Sequence, residues 1–313
     1  MKSTSNILVV LALLVVLGVG VFAITGGDDS SDSDGTATTN SQTTEREVAG
    51  ESNINLPFDL SLTNLATLDA GVYEGWVVRG DDKTSFGTFN MNAAGEIIGD
   101  LSYDGDLQAG DTVAISIEPD NDADPEPSAT IILAGEVTDG AAELAFPLDI
   151  SSFAGEYILG TPTTNATDDE TAGIWFTSSG TNTLLDIPDA PDGWIYEGWA
   201  VVDGVPYTTG QFTDPSGADN FDGYSGPDGG PAKPGEDFIT NLPGGVEGPL
   251  DLATGTSKVV VSIEPYQNGS DPTGAGPAQI KPLSHDIGEG VADHTRFSLD
   301  LNTDLPTGSV SVN

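Results

Sequence analysis

"VYEGWVV" at residues 72–78 and "IYEGWAV" at residues 195–201 are nearly the same word, written 123 positions apart. Both are short, aromatic and β-branched, and they read as strands. In the first, Val72, Glu74, Trp76 and Val78 share one face, while Tyr73, Gly75 and Val77 share the other. The first face is apolar apart from its glutamate. An inward, ionised and unpaired Glu74 would cost several kcal/mol, so it needs donors, a raised pKa or a place at the strand's open end.

The surrounding sequence repeats as well. "FGTF" at 86–89 is matched by "TGQF" at 209–212, again 123 positions on, whereas "VAISIEP" at 113–119 is matched by "VVVSIEP" at 259–265, now 146 positions on. The changed offset places an insertion of about 23 residues in the Gly- and Pro-rich stretch that begins "TDPSGADNFDG". Strands are predicted over 58–62, 72–79, 85–91, 112–117, 130–133 and 143–150, with two more in "GEYILGTPTTNATDDETAGIWFTS". No stretch beyond the amino terminus has a convincing helical period. The fold class is all-β: two tandem β-sandwich-like domains, 54–153 and 154–313.

Two segments precede them. Residues 1–24 contain an uncharged run from Ile7 to Ile24, 18 residues, enough for about 27 Å of helix. It reads as a transmembrane anchor, with a cleaved signal segment ending near Ala23 as the alternative. Lys2 and acidic residues beyond the run put the rest of the chain outside the cytoplasm, or secreted if the segment is cleaved. Residues 25–53, rich in Ser, Thr, Asp and Gly, read as a disordered acidic stalk.

The chain carries 50 acidic and 8 basic residues, for a formal charge of −42. That balance excludes nucleic acid as an electrostatic partner, and anionic lipid headgroups with it. Its self-repulsion calls for a salty milieu, since the Debye length shrinks to about 3 Å near 1 M salt. Cysteine is absent, which removes disulfides, thiolate nucleophiles, cysteine metal sites and a cysteine-linked lipid anchor.

The series "VYEGWVV", "GTF" and "VAISIEP", followed by a Pro-containing loop and "IILAG", resembles the extracytoplasmic carboxy-terminal domain of the anti-sigma-K factor family. "IYEGWAVVDGVPYTTGQF" and "VVVSIEP" resemble it again. The resemblance spans about 60 residues in each copy and implies this domain's fold and an outward location. Family members that act on sigma factors carry a cytoplasmic helical domain before the membrane helix, where this sequence has six residues. That departure argues against direct sigma binding.

Glu74 with Trp76 and Glu197 with Trp199 are the candidate ligand-binding residues, a carboxylate beside a stacking ring. The structural alternative is a carboxylate that accepts backbone N–H groups while Trp fills the core and Gly admits a neighbouring backbone. In "VAISIEP" Val113, Ile115 and Ile117 point one way and Ser116 with Glu118 the other, so Glu118, and Glu264 likewise, is expected to face solvent at a strand end. No catalytic constellation is recognisable. His285 and His294 lie in a stretch read as loop with no diagnostic partner spacing, and no cofactor is implied.

The metal question stays open. "DNDADPE" at 120–126 and "DPSGADNFDG" at 214–223 offer carboxylates on turns without EF-hand spacing. Asn165 in "NAT" and Asn268 in "NGS" are candidate glycosylation acceptors. These readings converge on a membrane-anchored, extracytoplasmic, non-enzymatic protein that binds or senses an unknown surface protein or envelope component. The alternatives are a passive structural envelope protein and a sigma-factor regulator acting through a separate cytoplasmic partner.

Overall fold

The computed structural model describes residues 52–267, 269–272 and 276–312. The Ile7–Ile24 run, the stalk up to residue 51 and Asn268 lie outside the described residues. Among those described, no helix is long and apolar enough to cross a membrane.

The first half contributes β1 (Asn53–Asn55), β2 (Phe58–Thr63), β3 (Val72–Arg79), β4 (Asp82–Met91), β5 (Ile97–Ser102), β6 (Thr112–Glu118), β7 (Ile131–Glu136) and β8 (Ala141–Ala145). Then come β9 (Ala154–Leu159), β10 (Gly173–Trp175), β11 (Leu185–Asp186), β12 (Trp194–Val202), β13 (Val205–Phe212) and β14 (Gly235–Asp237). The last are β15 (Ser257–Pro265), β16 (Ile280–Ile287), β17 (Arg296–Ser298), β18 (Asp300–Leu301) and β19 (Thr307–Val312). The described fold is all-β, with one 3₁₀ turn at Pro243–Gly245 and no α-helix.

Nine strands form one sheet in the order β1-β5-β4-β3-β6-β7-β8-β19-β2. At β7 and β8 the ladder narrows to the single pair Ala134 and Ala145. The sheet folds over there, because Phe58 on the last strand in the order meets Phe86 of β4 edge-to-face, ring centroids 5.8 Å apart. The result is a sandwich whose inner faces carry Tyr73, Val77, Phe86, Val113, Ile115 and Ile117.

The second half places β11-β9-β10-β14, with β17 beside β9, opposite β13-β12-β15-β16-β18. Tyr157 of β9 reaches across to His285 of β16 at 2.9 Å, and Tyr207 of β13 meets the Phe238 ring at 6.3 Å. His285 therefore sits on a strand, not in the loop expected for it. One apolar core runs through both halves, joined where Phe146 meets Trp194 edge-to-face at 5.3 Å. The chain's final strand, β19, pairs with β2 and β8 in the first sheet, so the segment 154–313 supplies a strand to the sheet of the segment before it.

The insertion after β13 is mostly irregular, as its Gly and Pro content predicts, but it contains β14. It also guards an edge. In the first half β5 covers β4, whereas in the second Asn220 exchanges hydrogen bonds with Gln211 of β13, its backbone N–H to the Gln211 carbonyl at 3.0 Å and its side-chain oxygen accepting the Gln211 N–H at 2.9 Å. An open edge would invite pairing with another chain.

Candidate functional site

The two YEGW strands occupy the same place in their sheets. β3 lies between β4 and β6, and β12 between β13 and β15, antiparallel on both sides. In both, the ladder slips by one residue just after the glycine. Gly75 faces Gly87 but Trp76 faces Ser85, leaving Phe86 extra; Gly198 faces Gly210 but Trp199 faces Thr208, leaving Thr209 extra. These are β-bulges.

The bulge explains the glycines. A side chain on Gly75 would meet the Phe86 ring at 1.9 Å, and one on Gly198 would meet the Thr209 hydroxyl at 2.2 Å and the Phe176 ring at 2.9 Å. The close approach comes from the bulged side chain, not from a neighbouring backbone as expected. Gly87 and Gly210 adopt φ of 119° and 105°, which only glycine accepts without strain. Where Phe86 fills the inner face of the first sandwich, the smaller Thr209 and the Phe176 ring share that space in the second.

The extra residue also shifts the phase of the strand, so that Ser85 and Thr208 share a face with Glu74 and Glu197. Ser85 Oγ donates to Glu74 Oε1 at 2.5 Å and accepts the Gly87 N–H at 3.1 Å. Thr208 Oγ1 donates to Glu197 Oε1 at 2.5 Å and accepts the Gly210 N–H at 2.8 Å. Each glutamate thus fastens a hydroxyl that bridges the bulge. Glu197 gains a second donor, Gln211 Nε2 at 2.8 Å, and is buried, whereas Glu74 is half-buried.

The tryptophans lie on this same face, opposite the Tyr73 and Val77 core, and both are buried. Trp76 Nε1 donates to Ser116 Oγ at 2.8 Å, and Ser116 donates to Glu118 Oε1, which also accepts the Ser128 N–H at 2.9 Å. Trp199 Nε1 donates to Ser262 Oγ at 2.8 Å, and Ser262 donates to Glu264, whose two oxygens each lie 3.0 Å from the Ala278 N–H. YEGW and SIEP are therefore two ends of one hydrogen-bonded relay.

The solvent-facing expectation for Glu118 and Glu264 is overturned: they are 1% and 0% exposed. Alternation gave the correct face, but that face is covered by the segment following each strand. Ser128 caps Glu118 from this loop, and Glu126 of the same loop pairs with Lys83 at 2.8 Å. Glu118 Oε2 is buried and has no hydrogen-bond partner among the described residues.

Burial raises the pKa of Glu118, Glu197 and Glu264, working against the hydroxyl and N–H donors that favour the charged form. Glu264 is pushed up to about 8, with the nearby Glu197 charge adding to burial. A carboxyl in this state holds its proton at neutral pH. Ser116, Ser262, Ser85 and Thr208 were missed from sequence, although Ser116 and Ser262 recur inside the repeated "SIEP" words.

The other candidate residues are dispersed. His285 Nδ1 meets the Tyr157 hydroxyl, and its ring stacks on Phe297 at 6.0 Å. His294, at φ 52°, lies 3.4 Å from Asp293 and 3.8 Å from Glu170. Asp214 accepts the Ser216 N–H and hydroxyl, Asp219 accepts the Phe221 and Gly235 N–H groups, and Asp122 and Asp124 each accept an N–H two residues on. These carboxylates shape turns. Among the described residues no three or more His, Asp or Glu side chains are grouped to hold a metal ion. Asn165 is exposed and donates to Asp228.

An all-β sandwich carrying a buried Trp–Ser–Glu relay is the class this geometry defines. Residues 59–131, from β2 to the start of β7, match the family model described as "Anti-sigma-K factor rskA, C-terminal". The matched span contains the first bulge and the first relay. No curated protein and no solved structure matches the chain.

Proposed function

We propose that this is a membrane-anchored, extracytoplasmic, non-enzymatic protein that uses two related β-sandwiches to bind or sense a protein partner at the cell surface. The observation that carries the reading is the match of residues 59–131 to the anti-sigma-K carboxy-terminal model, which supports a regulatory, anti-sigma-factor-like class. The shared bulge, glutamate lock and relay support descent of both halves from one such domain. In this reading Glu74, Trp76, Glu197 and Trp199 hold the sandwich in shape, and the partner meets the surfaces they support.

Topology and partnership are tested together in intact cells. Protease added outside should digest the chain, alkaline carbonate should leave it in the membrane pellet, and surface cross-linking should give a discrete adduct. A chain shielded until the cells are lysed would overturn the outward location. The same match favours a second reading, regulation of a sigma factor through a separate cytoplasmic partner. Deleting the gene should then change transcription of a defined regulon, with purified sigma factor failing to bind the chain directly.

A further inference from the structure

A cleft of about 410 Å³ opens where the two halves meet, lined by Leu68, Ile117 and Ile132 from the first and Trp194, Ile263 and Lys281 from the second. Its volume is that of a small-molecule site. The wall is braced across the junction: Gln279 accepts the Ala66 N–H at 2.7 Å and donates to the Tyr73 hydroxyl at 3.2 Å, which donates to the Ala66 carbonyl at 2.9 Å. On the other side Gln267 donates to the Ile117 carbonyl at 2.6 Å and to Thr130 at 2.9 Å. Such a frame keeps the cleft open without a ligand to prop it.

Its one cation stands out against the rest of the chain. Of the basic side chains among the described residues, Arg79 pairs with Asp111, Lys83 with Glu126, Lys258 with Asp286 and Arg296 with Glu156, while Lys233 donates to the Ser216 carbonyl. Lys281 makes neither an ion pair nor a side-chain hydrogen bond among the described residues, in a protein with 50 carboxylates. Glu264, the acid whose charge acts on it, is turned to Ser262 and Ala278. Burial lowers the Lys281 pKa, the mark of an ammonium short of solvent and partners. Exposed Asp69 also lines the cleft and sets a polar end to it.

The geometry points to a binding site for a small monocarboxylate with an apolar body, its carboxylate on the Lys281 ammonium and its body against Trp194, Ile132 and Ile263. The ligand's charge supplies the partner that the protein withholds from Lys281, and a charge-assisted hydrogen bond out of water outweighs one to a neutral hydroxyl. The surface charge repels an anion at long range, so the site suits a medium in which salt screens that repulsion.

The test uses the full chain in lipid nanodiscs in 1 M NaCl, titrated calorimetrically with 4-phenylbutyrate and with its neutral analogue 4-phenylbutan-1-ol, with empty nanodiscs subtracted. The carboxylate should bind at least about tenfold more tightly than the alcohol. Lys281→Met should abolish that preference and leave the alcohol's affinity unchanged, and Ile132→Trp, which fills the cleft, should remove both. Comparable affinities of the two probes for the unaltered protein, or no binding of either at millimolar concentration, would overturn the assignment without recourse to a variant.

Discussion

Glu264 is a residue whose chemistry departs far from its ordinary state. Buried among Ser262, Ala278 and the Glu197 charge, its carboxyl titrates near 8, while in the unfolded chain it titrates in the normal glutamate range. Between those values the folded state holds a proton that the unfolded state lacks. Its contribution to stability is therefore complete below the unfolded pKa and is lost as pH rises through about 8. Glu264→Gln keeps the shape without the charge. Thermal melts should show the variant equal to the parent near pH 5 and more stable near pH 9, by roughly 2–4 kcal/mol. A variant that lags the parent equally at both pH values would mean that Glu264 is ionised in the fold.

At the scale of the strand pair, the bulge decides what YEGW is for. The period of two assigned Glu74 and Trp76 to one face and Tyr73 and Val77 to the other, and that division holds. What a period cannot show is which face meets the main core, and here it is the tyrosine face. Nor could it show that β4 slips by one residue, because the slip depends on Phe86 finding room beneath Gly75 in the assembled sheet. Gly75→Ala should cost about 1–3 kcal/mol by overpacking. Combined with Phe86→Ala it should cost less than the sum of the two single changes, measured by chemical denaturation; strict additivity would remove the close contact as the reason for the glycine. The SIEP serines were legible as repeated letters, but their bond to tryptophan spans 40 positions in one half and 63 in the other, and only the paired strands reveal it.

For the whole molecule, the charge of −42 and the set of buried carboxyls act in the same direction. Glu236 is pushed up to about 7 and Asp219 to about 6 by burial, alongside Glu264. Each favours the folded state more as pH falls through its folded pKa towards the ordinary carboxylate range, and acidification also weakens surface repulsion. The melting temperature should therefore rise as pH is lowered from about 8 to about 5, and should rise again as NaCl is taken to molar levels. A melting temperature indifferent to salt would show that the acidic surface is not under repulsive strain.

The sequence by itself determined the all-β class, most of the strands that carry the repeat, the irregular character of the insertion and the face on which each glutamate lies. These follow from local alternation, turn-forming residues and a repeated text, all of which a linear chain can carry. Tertiary structure alone decided that the outer face of β3 and β6 is roofed by the following loop, that Glu118 and Glu264 are buried, and that β19 returns to the first sheet. It also left Lys281 in a cleft between the halves. Those outcomes depend on which surfaces meet once the chain has folded, from a loop about ten residues on that turns back over Glu118 to a final strand that returns to β2 from the far end of the chain, and no alternation pattern encodes such a meeting.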